Sequence, residues 1–131
     1  MSSRDGQDRT RFPFMPFYVD DWLSSDTIVG FSLEQEAAYL RLLLRQWKAS
    51  DGQLPKDEGV LASYSRLGTK WRRAGRPILQ RCFVERAGGF VNVKLREIWL
   101  RTREKSAKAK AAAEKRWDDE RQGSLPDSED D

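Results

Sequence analysis

The chain has 131 residues, of which 24 are basic and 21 acidic, giving a net charge of +3 with one cysteine and no histidine. This length suits one domain with its own core, whereas a single cysteine excludes an intramolecular disulfide framework and the lack of histidine removes the commonest catalytic base and zinc ligand. Without histidine, we expect a protein that is not an enzyme and binds no cofactor or metal. Because no run is as long as a signal sequence or a membrane span, we also expect it to be cytoplasmic and to have no membrane association.

The N-terminal part of the chain changes character near residue 12. Residues 1–11 are polar and charged, and we expect them to be disordered. Residues 12–18 are densely apolar, but two prolines forbid an ordinary helix, so we expect an extended segment that packs across the core. Asp20, Asp21 and Asp26 follow and are conceivable metal ligands of a nuclease. Because Asp is preferred at caps and turns, we assign no metal site.

Ser32 begins the clearest helix. Ser32 and Gln35 form a capping-box pattern, and the predicted helix runs from Leu33 to Ala49. It is expected to be core scaffold, with an apolar stripe of Leu33, Ala37, Leu40, Leu44 and Trp47, flanked by Tyr39 and Leu43.

Two short elements are predicted next. Gln53 and Leu54 are enough for a strand stub only, and Asp57 is placed to cap a short helix from Glu58 to Tyr64. Gly68 is predicted to end this helical region before the basic helix that follows.

The basic helix is predicted from Lys70 to Cys82. Thr69 is its expected N-cap, and its apolar residues share one stripe: Trp71, Ala74, Ile78 and Cys82. Pro77 lies within this stripe and predicts a kink or a break. If the helix restarts with Pro77 at its first position, its N-terminus becomes an anion site surrounded by Arg72, Arg73 and Arg76.

The remainder of the chain is predicted as a hairpin, a helix and a tail. Phe83 to Lys94 contain a glycine turn between two short apolar runs, the pattern of a two-stranded wing. The stripe of the following helix consists of Leu95, Ile98, Trp99 and Thr102. Residues 103–117 are expected to project as an exposed basic helix that ends at Trp117, and residues 118–131 to form an acidic disordered tail.

The order of these elements is typical of winged-helix domains, a variant of the helix-turn-helix in which the third helix enters the major groove. We therefore predict a mostly helical α+β fold: a winged-helix domain over residues 12–102 with a two-stranded wing and a projecting C-terminal basic helix.

The charges are strongly segregated. Residues 66–116 hold 16 basic and 4 acidic groups, between N-terminal and C-terminal segments that are both net acidic. Such a block indicates a surface for a polyanion, although lysine and arginine also serve merely to solvate helix faces. We predict DNA as the partner, double-stranded rather than single-stranded. The predicted DNA-binding residues are Thr69, Lys70, Arg72, Arg73, Arg76 and Gln80 on the basic helix, Arg86 and Lys94 on the wing, and Arg103, Lys105 and Lys108 beyond it.

The sequence also resembles the YdaU-like family of uncharacterised phage and prophage proteins. The resemblance covers about residues 12–117 and is carried by Pro16-Phe17-Tyr18, Asp21-Trp22-Leu23, Phe31-Ser32-Leu33-Glu34, Ala38-Tyr39-Leu40, Gly52-Gln53-Leu54-Pro55 and Asn92-Val93-Lys94-Leu95. It implies a winged-helix-like protein of a phage or prophage replication region in a bacterial host cell, comparable with the DNA-binding halves of replication initiators. It implies no catalytic residue. The alternatives are an adaptor that recruits a replicative helicase or loader, and a winged-helix transcriptional regulator.

Overall fold

The computed structural model describes the backbone of residues 13–130 and the side chains of residues 13–122. The expectations for residues 1–11 and for Phe12 lie outside this part. The described elements are α1 (Val19–Leu23), α2 (Asp26–Val29), α3 (Leu33–Lys48), α4 (Glu58–Ser65), α5 (Arg76–Cys82), β1 (Val84–Arg86), β2 (Gly89–Val91) and α6 (Val93–Asp130). A mostly helical α+β fold with a small antiparallel sheet is thereby confirmed. No helix of the described residues is both long and apolar enough to cross a membrane.

The chain divides into two compact units, with the division between Trp99 and Leu100. The core of the first unit is built from α3 to α6 and the segments between them. Its buried apolar residues include Leu42, Leu43, Trp47, Leu54, Leu61, Trp71, Ile78, Phe83, Leu95, Ile98 and Trp99.

Helix α3 begins at Leu33 as the sequence predicts and ends at Lys48, one residue before the predicted end, but it buries a different face. The capping box is present, since the Gln35 amide donates to Ser32 Oγ at 3.1 Å and the Ser32 amide donates to Gln35 Oε1 at 3.0 Å. The expected stripe is wrong at Leu33, Ala37 and Leu44, which are exposed. The buried positions of the helix are Ala38, Leu42, Leu43, Gln46 and Trp47.

The segment before α1 has no helix or strand over residues 13–18. The expectation that it packs across the core is wrong for Phe14, Phe17 and Tyr18, which are 85%, 44% and 53% exposed, whereas Met15 packs against the core. Trp22 occupies the adjacent core surface, where its ring stacks on that of Tyr39 with centroids 5.4 Å apart. Because Trp22 covers this part of the core, little apolar surface is left there for Phe14.

The predicted basic helix consists of three consecutive segments of different helical type. Asp57 caps α4 as expected, accepting from the amides of Gly59 and Val60, and a 3-10 turn (Gly68–Lys70) and a π-helical turn (Trp71–Gly75) follow. The expectation that Thr69 caps this segment is wrong, because Thr69 lies inside the 3-10 turn and no side chain caps that turn or the π-helical turn. Helix α5 follows directly at Arg76 with Pro77 in its first turn, and Gly75 before it has right-handed helical backbone, so the helix changes type near Pro77 without interruption. The alternative in which a new helix N-terminus at Pro77 forms an anion site is therefore wrong.

Gly75 allows the π-helical turn to close. A Cβ at this position would lie 2.1 Å from Cε3 of Trp71, well inside van der Waals contact. The indole therefore lies directly against the backbone of Gly75 and is buried there. The close approach of a large ring to a glycine fixes the place where the basic segment changes its helical geometry.

The wing is a two-stranded antiparallel hairpin in which Glu85 pairs with Phe90 and Arg86 with Gly89. The predicted strand stub is one bridge, in which Leu54 and Phe90 exchange backbone hydrogen bonds of 2.8 and 2.9 Å. Gly89 has a φ of +156°, and a Cβ there would lie 1.9 Å from the Leu54 carbonyl oxygen. Only glycine therefore fits where the wing meets this stub.

Asn92 joins the wing to α3 and α6. Its backbone N–H and C=O bond to the side-chain amide of Gln46, at 2.8 and 3.1 Å. The Asn92 side chain accepts from the Leu95 amide at 3.0 Å and donates to the Cys82 carbonyl at 2.9 Å and to the Tyr39 hydroxyl at 3.2 Å. Asn92 thus caps the start of α6 and links it by hydrogen bonds to α3 and to the end of α5.

In the second unit, the side chains of residues 103–122 are exposed along α6. Residues 103–117 are helical, as the sequence predicts. The prediction that the helix ends at Trp117 is wrong, since it continues to Asp130 through residues expected to be disordered. An ion pair between Arg121 and Asp118, three residues apart, is of the kind that supports an exposed helix.

Candidate nucleic-acid interface

All eleven predicted DNA-binding residues are exposed. Six of them lie on the broken basic segment, namely Thr69, Lys70, Arg72, Arg73, Arg76 and Gln80. Arg86 ends β1 and therefore lies on the wing, as expected. Lys94 does not, because β2 ends at Val91 and Lys94 belongs to the first turn of α6. Its assignment to the wing is wrong.

Arg76 is held by a carboxylate from α4. Its Nε and Nη2 donate to the two oxygens of Glu58 at 2.7 and 2.9 Å, and Trp71 Nε1 donates to Glu58 Oε1 at 2.9 Å. The hydrogen bonds from Arg76 and then from Trp71 lower the pKa of Glu58 to about 2. Glu58 therefore stays ionised and neutralises Arg76, so it competes with a phosphate for the Nε and Nη2 groups of Arg76.

Three further predicted cations also have carboxylate partners. Lys70 Nζ lies 2.9 Å from Glu34, Lys94 Nζ lies 2.6 Å from Asp21, and Lys108 Nζ lies 3.4 Å from Glu104. All of these side chains are about half or more exposed, and exposed pairs contribute little to stability. Such a lysine can exchange its carboxylate for a phosphate at small cost.

Among the predicted DNA-binding cations of the basic segment, Arg72 and Arg73 are the two without a carboxylate in ion-pair contact, although the charge of Arg72 also helps to lower the pKa of Glu58. Both are exposed, and neither has an ion pair within the described part of the chain. They lie in the π-helical turn beside the buried Trp71 and Ala74, which fix the backbone that carries them. The turn thus presents two guanidinium groups to solvent from a rigidly packed segment.

Two features of this surface were not identified from the sequence. Arg81 is exposed in the last turn of α5, eight residues after Arg73, and helical spacing was enough to suggest it. The role of Glu58 had no local signal, because its partner Arg76 is 18 residues away.

A groove lies between α5 and the wing, lined by Glu58, Arg76, Leu79, Gln80, Phe83, Glu85 and Phe90. Both of its carboxylates are paired, Glu58 with Arg76 and Glu85 with Lys56 at 3.4 Å. Among the described residues, no group of three His, Cys, Asp or Glu side chains is placed to hold a metal ion. The groove lining has two carboxylates and one arginine, so the positive charge that suits an anionic polymer comes from Arg72 and Arg73, which do not line it.

Residues 13–99 match the model of a family described as "Protein of unknown function (DUF1376)", and the chain belongs to this family. The matched segment ends at Trp99, where the first compact unit also ends. Comparison with curated proteins and with solved structures found no significant match. The family description names no activity, so the function has to be argued from the surface described above.

Proposed function

We propose that the protein is a winged-helix DNA-binding protein. The order of elements supports this: α3, the Leu54 bridge, α4, the basic segment with α5, then the wing and α6. In such domains the third helix enters the major groove, and the wing lies beside it on the backbone. In this proposal the segment from Lys70 to Cys82 corresponds to the third helix, and the Leu54 bridge to Phe90 corresponds to an edge of the wing.

The observation that carries the proposal is the exposure of Arg72 and Arg73 in the π-helical turn with no ion pair within the described residues. A guanidinium group binds a guanine edge or a phosphate through two parallel hydrogen bonds. We assign base or phosphate contacts to Arg72, Arg73 and, after exchange of Glu58, Arg76.

The other predicted residues are assigned to the DNA backbone. Arg86 on the wing and Arg103, Lys105 and Lys108 on α6 lie within the block of residues 66–116 that has a net charge of +12. Contacts of this kind raise the affinity for all sequences alike, since they neutralise phosphates and release counterions.

The biological setting is part of the proposal. The resemblance to the YdaU-like family favours a protein of phage or prophage origin that acts in the initiation of DNA replication in the cytoplasm of a bacterial host. Double-stranded DNA is the proposed ligand, and a replicative helicase or loader is a proposed partner.

Binding of the full chain to a fluorescent DNA duplex, followed by anisotropy, tests the proposal. The Arg72→Ala/Arg73→Ala variant is expected to bind at least tenfold more weakly, because two charged contacts of about 1–3 kcal/mol each are lost. Arg41→Ala is the control, since Arg41 is an exposed arginine of α3 away from the basic segment. If wild type does not bind duplex DNA, or if the double variant binds as tightly as Arg41→Ala, the proposal fails.

A further inference from the structure

The surface formed by residues 13–36, here called the N-terminal face, has a composition opposite to that of the basic block. It holds five acidic residues and no lysine or arginine. It also carries seven of the twelve exposed large apolar residues among those that the structure describes: Phe14, Phe17, Tyr18, Val19, Leu23, Val29 and Leu33. An apolar and acidic surface repels DNA, whereas exposed apolar patches are typical of protein interfaces.

The face combines an apolar ridge with a cavity. Val19 and Leu23 are four residues apart on α1 and therefore share one side of that helix, and Val29 follows on α2. Leu23 and Val29 are 71% and 75% exposed. Beside them is a cavity of about 250 Å³, room for one large side chain, whose aromatic lining is Phe17, Tyr18, Trp22 and Tyr39 and whose aliphatic lining includes Leu43, Leu95 and Ile98.

The edge of this face already binds cations from elsewhere in the chain. Lys94 Nζ contacts Asp21 at 2.6 Å and lies 5.4 Å from the centroid of the Tyr18 ring. Lys70 Nζ contacts Glu34 at 2.9 Å. Asp20 and Asp26, in the first turns of α1 and α2, have no ion pair within the described residues. The face therefore attracts lysine side chains and has further carboxylates open to them.

We propose that the N-terminal face docks a basic amphipathic helix of a partner protein. One large apolar side chain of that helix enters the aromatic cavity, its remaining apolar stripe covers Leu23 and Val29, and its lysine or arginine residues pair with Asp20 and Asp26. Recognition of a helix by an apolar groove with complementary charges is a common mode of peptide binding. This face borders the predicted DNA-binding residues, since Asp21 and Glu34 pair with Lys94 and Lys70. Leu23, Val29, Asp20 and Asp26 are not among those residues, so one molecule has two different docking faces.

Three synthetic peptides of equal length test this inference on the full chain. The first is a helical peptide with a leucine and tryptophan stripe and lysine elsewhere, the second replaces lysine by glutamate, and the third scrambles the first so that the stripe is lost. Calorimetric titration is expected to show binding of the first peptide, weakened by salt, and at least tenfold weaker binding of the other two. Equal binding of the first and the scrambled peptide overturns the proposal, since charge alone then explains it.

Matched variants locate the binding surface. Leu23→Ser/Val29→Ser is expected to weaken binding of the first peptide at least tenfold. Leu44→Ser/Val84→Ser, which changes the same two residue types at exposed positions outside the face, is expected to leave it unchanged. Equal affinity of the two variants overturns the proposal.

Two further measurements separate this inference from its alternatives. Sedimentation of wild type that shows a concentration-dependent dimer, abolished in Leu23→Ser/Val29→Ser, assigns the face to a second copy of the chain and overturns the partner-helix proposal. DNA affinity of Leu23→Ser/Val29→Ser is expected to equal that of wild type. A tenfold loss of DNA binding in this variant overturns the assignment of two separate faces.

Discussion

The side-chain amide of Gln46 makes two hydrogen bonds to the backbone of Asn92, as the backbone of a neighbouring strand would. Gln46 Oε1 accepts from the Asn92 amide at 2.8 Å, and Gln46 Nε2 donates to the Asn92 carbonyl at 3.1 Å. Gln46 is 1% exposed, so water does not compete for these groups. The pair satisfies the backbone between the wing and α6 and attaches it to the last turn of the core helix α3.

Gln46→Leu is expected to destabilise the protein by about 2–4 kcal/mol, because two buried backbone groups of Asn92 lose their partners at about 1–3 kcal/mol each. Urea unfolding at pH 7 measures the change. Gln80→Leu, at an exposed position, is the control and is expected to stay within roughly 0.5 kcal/mol of wild type. A loss below about 1 kcal/mol in Gln46→Leu contradicts the role given to this pair.

Gly75→Ala is expected to destabilise the protein by about 1–3 kcal/mol, although alanine ordinarily favours a helix, because the new Cβ overlaps the ring of Trp71. Gly30→Ala is the matched control, since its nearest non-neighbouring atom would be 3.5 Å away and its φ of −77° suits any residue. Thermal unfolding followed by circular dichroism compares the two. If Gly75→Ala is as stable as Gly30→Ala, the close contact between the Trp71 ring and Gly75 is not required for stability.

Stability should depend on pH through Glu58. The folded protein lowers the pKa of this carboxyl from its ordinary value of 4.5 to about 2, so the stabilisation is fully present above pH 4.5 and is lost as the pH falls through 2. Urea midpoints at pH 7, 4.5, 3 and 2 are expected to fall less in Glu58→Gln than in wild type. Glu97→Gln, which leaves Glu58 in place, should keep the wild-type decline. If the urea midpoints of wild type and Glu58→Gln fall in parallel as the pH is lowered, Glu58 is not the cause of the pH dependence.

DNA affinity should fall steeply with salt if the proposed function is correct. With about five to eight phosphate contacts, the slope of log affinity against log salt concentration is expected to be about −4 to −7. Because Glu58 competes with phosphate for Arg76, Glu58→Gln is expected to add one contact and steepen the slope by about 0.9. Glu97→Gln removes the same charge without freeing a cation and should leave the slope unchanged. A flat wild-type response contradicts DNA binding, whereas an unchanged slope in Glu58→Gln contradicts only the competition.

Local patterns were sufficient to predict most elements, because caps, periodicity and turn residues act within a few positions. The buried face of α3 was not predictable in this way. Its sequence has apolar residues on two sides, and burial of the polar Gln46 depends on Asn92, 46 residues later. The candidate site shows the same limit. The exposure of Arg72 and Arg73 followed from the stripe of Trp71, Ala74 and Ile78, whereas the partners of Lys70, Arg76 and Lys94 lie 36, 18 and 73 residues away.

Chemical labelling of Cys82 reports on the accessibility of α5. It is the one cysteine of the chain and ends α5, where it is partly buried and its pKa is raised by that burial. Partial burial and a raised pKa both slow the reaction of a thiol with labelling reagents. The rate of labelling in the unmodified protein therefore measures how accessible the end of α5 is, and a duplex bound at α5 as proposed is expected to lower that rate.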